Sequence, residues 1–451
     1  MVDLWLKDAK IVPENRLVSI GVEEGKITTL KKIAPKREEC INLRELIVLP
    51  GLIDAHVHFR DPGLTYKEDF RTGTMAAAMG GFTTVIDMPN TRPPTNNPRV
   101  FKEKMKIAEN KSLVDFALHA GVEKLKDIKG LEKLKPASFK LFMDLLEDSE
   151  LEEIFKEIKK LNDENHQEKI NNQNNQGNIN NQEQRKYPII SLHAEDKDTV
   201  QKHTHRYQEK KKLNPEIYAK ARPSLAETVA VSNALALASK YHLNIHICHL
   251  TLQESLKLVN TAKNSGTNVT AEITPHHLLL NTSYLKKCGN LAKTNPPLRD
   301  QEDKIKLDNL RDIDIIGTDH APHTIHEKEQ DVWNAPPGIP NLETTLPLLL
   351  NLINQRKMTF RDLKRLLCEN PARIFKLKNK GYIRPDADAD LVVVDMKKEG
   401  VINPDKFKSK AKYSPFKGFE VKGMPVMTFS RGNIVMEEGD VFKNQGKSVY
   451  S

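Results

Sequence analysis

The chain has 451 residues, 38% hydrophobic and 29% charged, enough for two or three domains of ~150 residues and too mixed for a fibrous or disordered protein. Its net charge of +9 is scattered as lysines, with only 6% aromatic residues, which argues for solubility rather than nucleic-acid binding. No run nears the ~20 apolar residues of a membrane span, MVDLWLKDAKIV holds no signal-peptide core, and Cys40, Cys248, Cys288 and Cys368 form neither a disulfide framework nor a CxxC zinc clip. A cytoplasmic protein, an enzyme by its composition, is the expectation, without membrane or nucleic acid as partner.

Residues 1–50 carry β-like runs (VDLWLKDAKIV, SIGVEEGKITTLKKI) with a hairpin signal at Glu24-Gly25. From Gly51 to about Lys378 β-like and amphipathic runs alternate. The β-like runs are 51–59, 83–90, 114–121, 138–143, 188–195, 244–250, 268–277 and 314–320, and helical runs between them include 149–162, 226–241 and 251–263. Eight strands with interleaved helices predict an α/β fold, a (β/α)8 barrel of the TIM type over 51–379. A doubly wound open sheet is the rival, but no GxGxxG follows the first strand. At about 165–186 lies an Asn/Gln-rich low-complexity insertion, densest from Asn171 to Gln184, with too little apolar matter to be ordered by a core. Coming after a helix and before a strand, it falls at the bottom of a barrel, a tolerated surface insertion. Residues 380–451 return to short strands and Gly turns. They are expected to pair with 1–50 in one composite small β domain, since neither segment could bury a sheet face alone.

Histidines and carboxylates fall at the predicted strand ends. His56 and His58 end the first strand, and residues i and i+2 of a strand share a face, so both imidazoles can reach one metal ion. His203 and His205 repeat the spacing in a charged helical run, where i and i+2 diverge by about 200°; that pair belongs on the surface. His193, His249 and Asp319 close three further strands and Lys140 lies inside SFKLFM. Catalytic groups of this architecture gather at the C-terminal ends of strands, and imidazole with carboxylate suits zinc, with cobalt or manganese as replacements. A protonated Lys140 would repel a cation; as a carbamate it could bridge two. His246 is read as a packed neighbour on the strand face opposite His249, and His276 and His277, at the end of the seventh strand, as outer supports or loop-packing residues.

The strings GLIDAHVHFRDPG (51–63), DMPNTRPPT (87–95), HAED (193–196), TNPPLR (294–299), GTDHAPH (317–323) and APPGIPNLE (335–343) resemble the dihydroorotases of the amidohydrolase superfamily, along essentially the whole chain. HVHFRDPG and DMPNT are the most specific. Hydantoinases, dihydropyrimidinases and allantoinases share the HxH, the bridging Lys and the final Asp, but are not expected to share Arg60 and Asn90. The resemblance implies two Zn2+ ions bridged by N6-carboxylated Lys140 and a hydroxide. His56, His58 and Asp319 would hold the first ion, His193 and His249 the second, with Asp144 as the fallback bridge. It further implies Asp319 as general base and acid, and Arg60, Asn90, Asn295, His323 and the Pro337-Gly338 backbone as substrate contacts. The activity implied is the reversible interconversion of N-carbamoyl-L-aspartate and (S)-dihydroorotate in de novo pyrimidine biosynthesis. Partners implied are a second copy in a homodimer and an aspartate transcarbamoylase. The alternatives are an allantoinase or hydantoinase, or an inactive structural partner of the transcarbamoylase.

Overall fold

The computed structural model describes residues 2–33, 40–175, 188–209 and 214–450. Five strands come first: β1 (Leu4–Ile11), β2 (Arg16–Glu23), β3 (Lys26–Lys31), β4 (Cys40–Asn42) and β5 (Ile47–Pro50). Between β2 and β3, Glu24 and Gly25 take φ of 50° and 77°, the two-residue turn whose twist matches a hairpin. The next nine are β6 (Leu52–Val57), β7 (Phe82–Asp87), β8 (Asp115–Leu118), β9 (Ala120–Gly121), β10 (Ser138–Phe142), β11 (Ile189–His193), β12 (Ile245–Ile247), β13 (Val269–Ile273) and β14 (Ile315–Ile316). The chain ends with β15 (Leu391–Val401), β16 (Glu420–Ser430), β17 (Asn433–Glu437) and β18 (Asp440–Val441).

The middle strands form the barrel. β6, β7 and β8 pair in order, and β9 to β14 continue in a parallel six-stranded run. β8 and β9 are one strand interrupted at His119, so eight staves stand at the eight positions expected. A parallel bridge from Val57 to His320 closes the circle, with the His58 N–H donating to His320 O at 2.8 Å. One face of the staves (Leu52, Val85, Phe139, Leu192, Ile247, Ile273) packs on surrounding helices through Phe155, Ala234, Leu256 and Leu346. Inside, Ile53, Ile86, Ala117, Ile189 and Ile315 meet Phe375, with the His119 and His246 rings edge-on to it at 5.8 and 5.6 Å. The lower barrel is therefore filled, and polar side chains are left for the upper mouth.

The two ends of the chain share one nine-stranded sheet, ordered β18-β17-β16-β15-β5-β1-β2-β3 with β4 beside β1. Its seam is antiparallel, Leu391 opposite Pro50 and Val394 opposite Ile47, and its core joins Leu6, Ile20 and Val48 to Leu391 and Phe429. The final residues leave this sheet, which the sequence pattern did not signal. Gly446 N donates to Ser112 O, Phe116 N to Lys447 O and Val449 N to Phe116 O, at 2.8–3.0 Å, so the tail runs beside β8 and sets Val449 and Tyr450 against the lower barrel core.

The Asn/Gln-rich segment also corrects the expectation. Helix Asp148–Asn175 buries Leu151, Ile154, Phe155, Ile158 and Leu161 and runs on into the tract. Extending a nucleated helix needs no new nucleus, and Gln is a fair helix former, so the first part is helical without a core of its own. The remainder, 176–187, lies outside the described residues.

Candidate metal centre

β6 supplies the first ligand pair. Its register against β7 shifts between Asp54 and Val57, where Asp54 Oδ1 accepts the His56 N–H at 3.1 Å. Beyond this irregularity His56 and His58 both face Asp319, their Nε2 atoms 3.4 and 3.0 Å from its Oδ1. The three ligand atoms lie within 4.8 Å of one another, all buried. The other nitrogen of each ring is engaged: His56 Nδ1 donates to Glu272 Oε1 and His58 Nδ1 to Asn90 Oδ1, both at 2.7 Å. Those acceptors fix the ring hydrogens on Nδ1 and leave both Nε2 lone pairs aimed at a carboxylate. Lone pairs facing a carboxylate repel unless a cation lies between them, so this donor set fits a metal ion.

The second pair stands beside it. His193 Nδ1 and His249 Nε2 face each other at 3.0 Å, and the His249 ring centroid is 5.3 Å from that of His56. His193 Nε2 is 3.0 Å from Glu195 Oε2, which leaves Nδ1 bare, and His249 Nδ1 is buried without a hydrogen-bond partner. Lys140, 1% exposed, donates from Nζ to Cys248 Sγ at 3.0 Å. Asp144 is committed elsewhere: its Oδ2 accepts Arg222 Nη2 at 2.7 Å, and its Oδ1 is 3.7 Å from His193 Nε2.

Comparison with known proteins bears on this geometry. Residues 47–435 match the model of the amidohydrolase family. The chain belongs to that family. A dihydroorotase of Methanothermobacter thermautotrophicus is 46% identical over 450 residues, covering 100% of this chain and 97% of the relative. A dihydroorotase of Methanosphaera stadtmanae is 43% identical, covering 100% of both. Among solved structures, the L-hydantoinase (dihydropyrimidinase) of Arthrobacter aurescens superimposes with a TM-score of 0.90 at 30% identity over 99% of each chain.

Beside the ligand pairs this amidohydrolase assembles a second group of polar side chains. Arg60 has φ of 62° and is held from behind by Asp87, whose Oδ1 accepts the Phe59 N–H at 2.7 Å. Its guanidinium donates from Nε to Pro322 O at 3.3 Å, and Nη2 lies 3.1 Å from His323 Nε2. That ring nitrogen is also 3.0 Å from Pro337 O. Gly338, at φ 145°, allows the approach, since a Cβ there would sit 2.3 Å from Ala321 O and 3.0 Å from His323 Cδ2. Tyr413 Oη and Lys328 Nζ both donate to Gly338 O, at 3.0 and 3.1 Å. Arg60, His323, Pro337 and Gly338 thus form one cluster. Asn90 joins the centre through His58, and Asn295 Oδ1 accepts the Tyr218 hydroxyl at 2.5 Å.

Two expectations are corrected. β12 stops at Ile247 and His249 takes φ of 35°, so strand parity no longer relates it to His246. His246 points into the barrel as well, one layer lower, with Nδ1 2.8 Å from Thr270 Oγ1 and its ring on Phe375. It is a packed neighbour, but not on an opposite face. His276 and His277 lie beyond the end of β13, in the short helix Pro275–Leu279. His276 Nδ1 accepts from Asn341 Nδ2 at 2.9 Å and His277 Nε2 donates to Pro296 O at 2.9 Å, as loop-packing groups. His203 and His205 stand on helix Lys197–Glu209, His203 half-buried and His205 exposed.

Four residues escaped the sequence reading. Glu272 braces His56; Glu195 braces His193 and is itself held by Arg222 Nε and Nη2 at 2.9 and 2.7 Å. Lys67 reaches His323. Glu272 had a usable signal, a lone acid in the apolar run NVTAEIT; Arg222 and Lys67 had none. The other acidic cluster, Asp115, Asp388 and Asp390, already surrounds Lys380 and Arg431.

Proposed function

We propose that this amidohydrolase is a dihydroorotase, interconverting N-carbamoyl-L-aspartate and (S)-dihydroorotate. One observation carries the reading: the buried Arg60 guanidinium and the His323 ring meet beside two pairs of metal-ligand type. That pairing suits a substrate with a hydrolysable ring amide next to a free carboxylate. The dihydroorotase relatives at 46% and 43% identity support it.

In this reading His56, His58 and Asp319 would hold one zinc ion, His193 and His249 a second, and N6-carboxylated Lys140 would serve as a ligand to both. Bound there, the ions would supply Lewis acidity at the ring carbonyl and a water of lowered pKa. Carboxylation needs the Lys140 ammonium to lose one proton and joins the resulting neutral amine to CO2 with loss of a second, turning a buried cation into an anion among imidazoles. Asp319 takes the proton of the attacking water and delivers it to the departing ring nitrogen, and cyclisation runs the same transfers backwards. Arg60 grips the substrate carboxylate through its fork, joined by His323. Asn90, whose oxygen is taken by His58, offers its amide hydrogens, Asn295 lines the far side, and Pro337 O accepts from a ring N–H.

The assay is turnover of dihydroorotate, hydantoin and allantoin by the metal-loaded protein. Dihydroorotate should be the substrate. Turnover of only the other two would favour the second reading, a hydantoinase-like enzyme, which the 0.90 TM-score makes the natural rival. Absence of any turnover would leave the inactive partner of a transcarbamoylase. Arg60→Met should raise KM with metal retained, and loss of metal would make Arg60 structural. Self-association into a dimer and association with aspartate transcarbamoylase belong to the same reading and are checked by light scattering of the protein alone and of the mixture.

A further inference from the structure

His323 is a buried ring between groups that leave it little choice of hydrogen position. Its Nδ1 lies 3.1 Å from Lys67 Nζ, and its Nε2 lies 3.0 Å from Pro337 O and 3.1 Å from Arg60 Nη2. An ammonium has only hydrogens to offer and a carbonyl only lone pairs, whereas a neutral imidazole has one of each. Burial, with Arg60, Lys67 and Lys328 nearby, pushes the His323 pKa well down, so the ring is neutral. The assignment that satisfies both neighbours makes Nδ1 the acceptor from Lys67 and places the ring hydrogen on Nε2, donating to Pro337 O. Arg60 Nη2 is a donor too and cannot bond to that N–H. With the ring hydrogen used on Pro337 O, the Arg60 Nη2 hydrogen beside it finds no lone pair and stays available to an anion.

We propose that Lys67 is a positioning residue which, clamped by Glu327, fixes His323 as an Nε2–H donor to Pro337 O, so that the ring offers Arg60 no lone pair and the guanidinium keeps its hydrogen for the substrate's carboxylate. The inference rests on the dihydroorotate reading above. Lys67 is itself immobilised. Its Nζ is 2.8 Å from Glu327 Oε1 and its side chain only 11% exposed, while Glu327 Oε2 accepts the Thr324 N–H and hydroxyl, both at 3.0 Å. The clamp is thus keyed to the turn that follows His323. Without Lys67, the ring hydrogen could move to Nδ1 and turn toward Glu327 Oε2, 3.9 Å away. Nε2 would then accept from Arg60, and an incoming carboxylate would meet a lone pair and a guanidinium already engaged.

The test uses Lys67→Met and Lys67→Arg in the metal-loaded full chain, with melting curves to verify folding. Lys67→Met should raise KM for dihydroorotate roughly 10- to 100-fold, the effect of losing one well-placed charged contact, with kcat and metal content near wild type. Lys67→Arg, still a pure donor, should recover much of the KM. Histidine-selective 15N spectra, with His323 assigned by its loss in His323→Asn, should show hydrogen on Nε2 in the wild type and a shift toward Nδ1 in Lys67→Met. A folded Lys67→Met with unchanged KM, or with raised KM and an unchanged tautomer, overturns the proposal. Failure of the dihydroorotate reading is told apart because wild-type protein would then not turn over dihydroorotate, while the spectra still report on the clamp.

Discussion

Glu272 braces both halves of the centre with a single oxygen. Its Oε1 accepts the His56 Nδ1 hydrogen at 2.7 Å and the His249 backbone N–H at 3.1 Å, and the residue is 0% exposed. Glu272→Ala strips a ligand of each pair of its partner, and loss of such a brace weakens metal affinity about 10- to 100-fold, or about 1.4–2.7 kcal/mol. Glu272→Gln keeps length and an acceptor oxygen and removes only the charge. The difference between a charged bond of about 1.5–3 kcal/mol and a neutral one of about 0.5–1.5 is roughly 1 kcal/mol, about fivefold. Dialysis against graded chelator followed by metal analysis measures both variants, with melting curves in parallel to recognise a misfolded protein. Both ions should be lost together, most readily from Ala, then Gln, then wild type. A folded Glu272→Ala that keeps wild-type affinity refutes the reasoning, and loss of one ion alone refutes the shared brace. Gly317 offers an independent handle. A Cβ there would lie 2.4 Å from Glu272 Oε2 and 2.5 Å from Cδ, so Gly317→Ala must displace a carboxylate that His56 holds, and should reproduce the metal loss with Glu272 still present.

Three further outcomes are expected. Lys140→Ala should abolish turnover, and added short carboxylic acids should restore part of it; full activity without them would remove Lys140 from the chemistry. Lys104 Nζ and Asp87 Oδ2 pair at 2.5 Å with both side chains 0% exposed, so Lys104→Met should destabilise by about 3–5 kcal/mol in denaturant unfolding, part of it recovered in Lys104→Met/Asp87→Asn, which removes the unpaired charge and keeps the oxygen that accepts the Phe59 N–H; a single variant as stable as wild type would contradict this. Burial pushes Glu343 up from 4.5 to about 7 against backbone hydrogen bonds from Ser409 and Lys408. A carboxyl that holds its proton more tightly when folded loses stabilising power as pH rises through that window, so the melting temperature should fall from pH 5 to 7.5 more steeply in wild type than in Glu343→Gln, and equal slopes would disprove it.

The barrel was legible because its staves are short apolar runs whose alternation survives folding: Phe139 and Leu141 face the helices while Lys140 faces the interior. The His56–His58 pair could be read from spacing, although a register shift at Asp54 sets its direction. Parity failed at His249, where a left-handed backbone after a three-residue strand resets the count. Arg222 and Lys67 could not be found by pattern, since each lies outside any strand and reaches its imidazole only through tertiary packing. The tail beside β8 was hidden for a related reason: its backbone hydrogen bonds leave no periodicity in so few residues.

Three residues of the centre and its pocket, Arg60, His249 and Asp319, share positive φ, at 62°, 35° and 46°. Such a backbone costs of order 1–3 kcal/mol at each non-glycine site and persists only where the surroundings fix it. In each case a buried acid does so. Asp87 Oδ1 takes the N–H just before Arg60 at 2.7 Å, Glu272 Oε1 that of His249 itself at 3.1 Å, and Asp54 Oδ1 that just before Asp319 at 3.1 Å. All three acids come from barrel strands and are 0% exposed, so their own placement is fixed by the β framework. The left-handed turn aims each functional side chain across the mouth instead of along the continuing strand direction, and the acid below keeps it from relaxing. A rigid sheet thereby dictates the aim of groups that sit just beyond its hydrogen bonding. This is why those groups converge although the strands that carry them end at different heights.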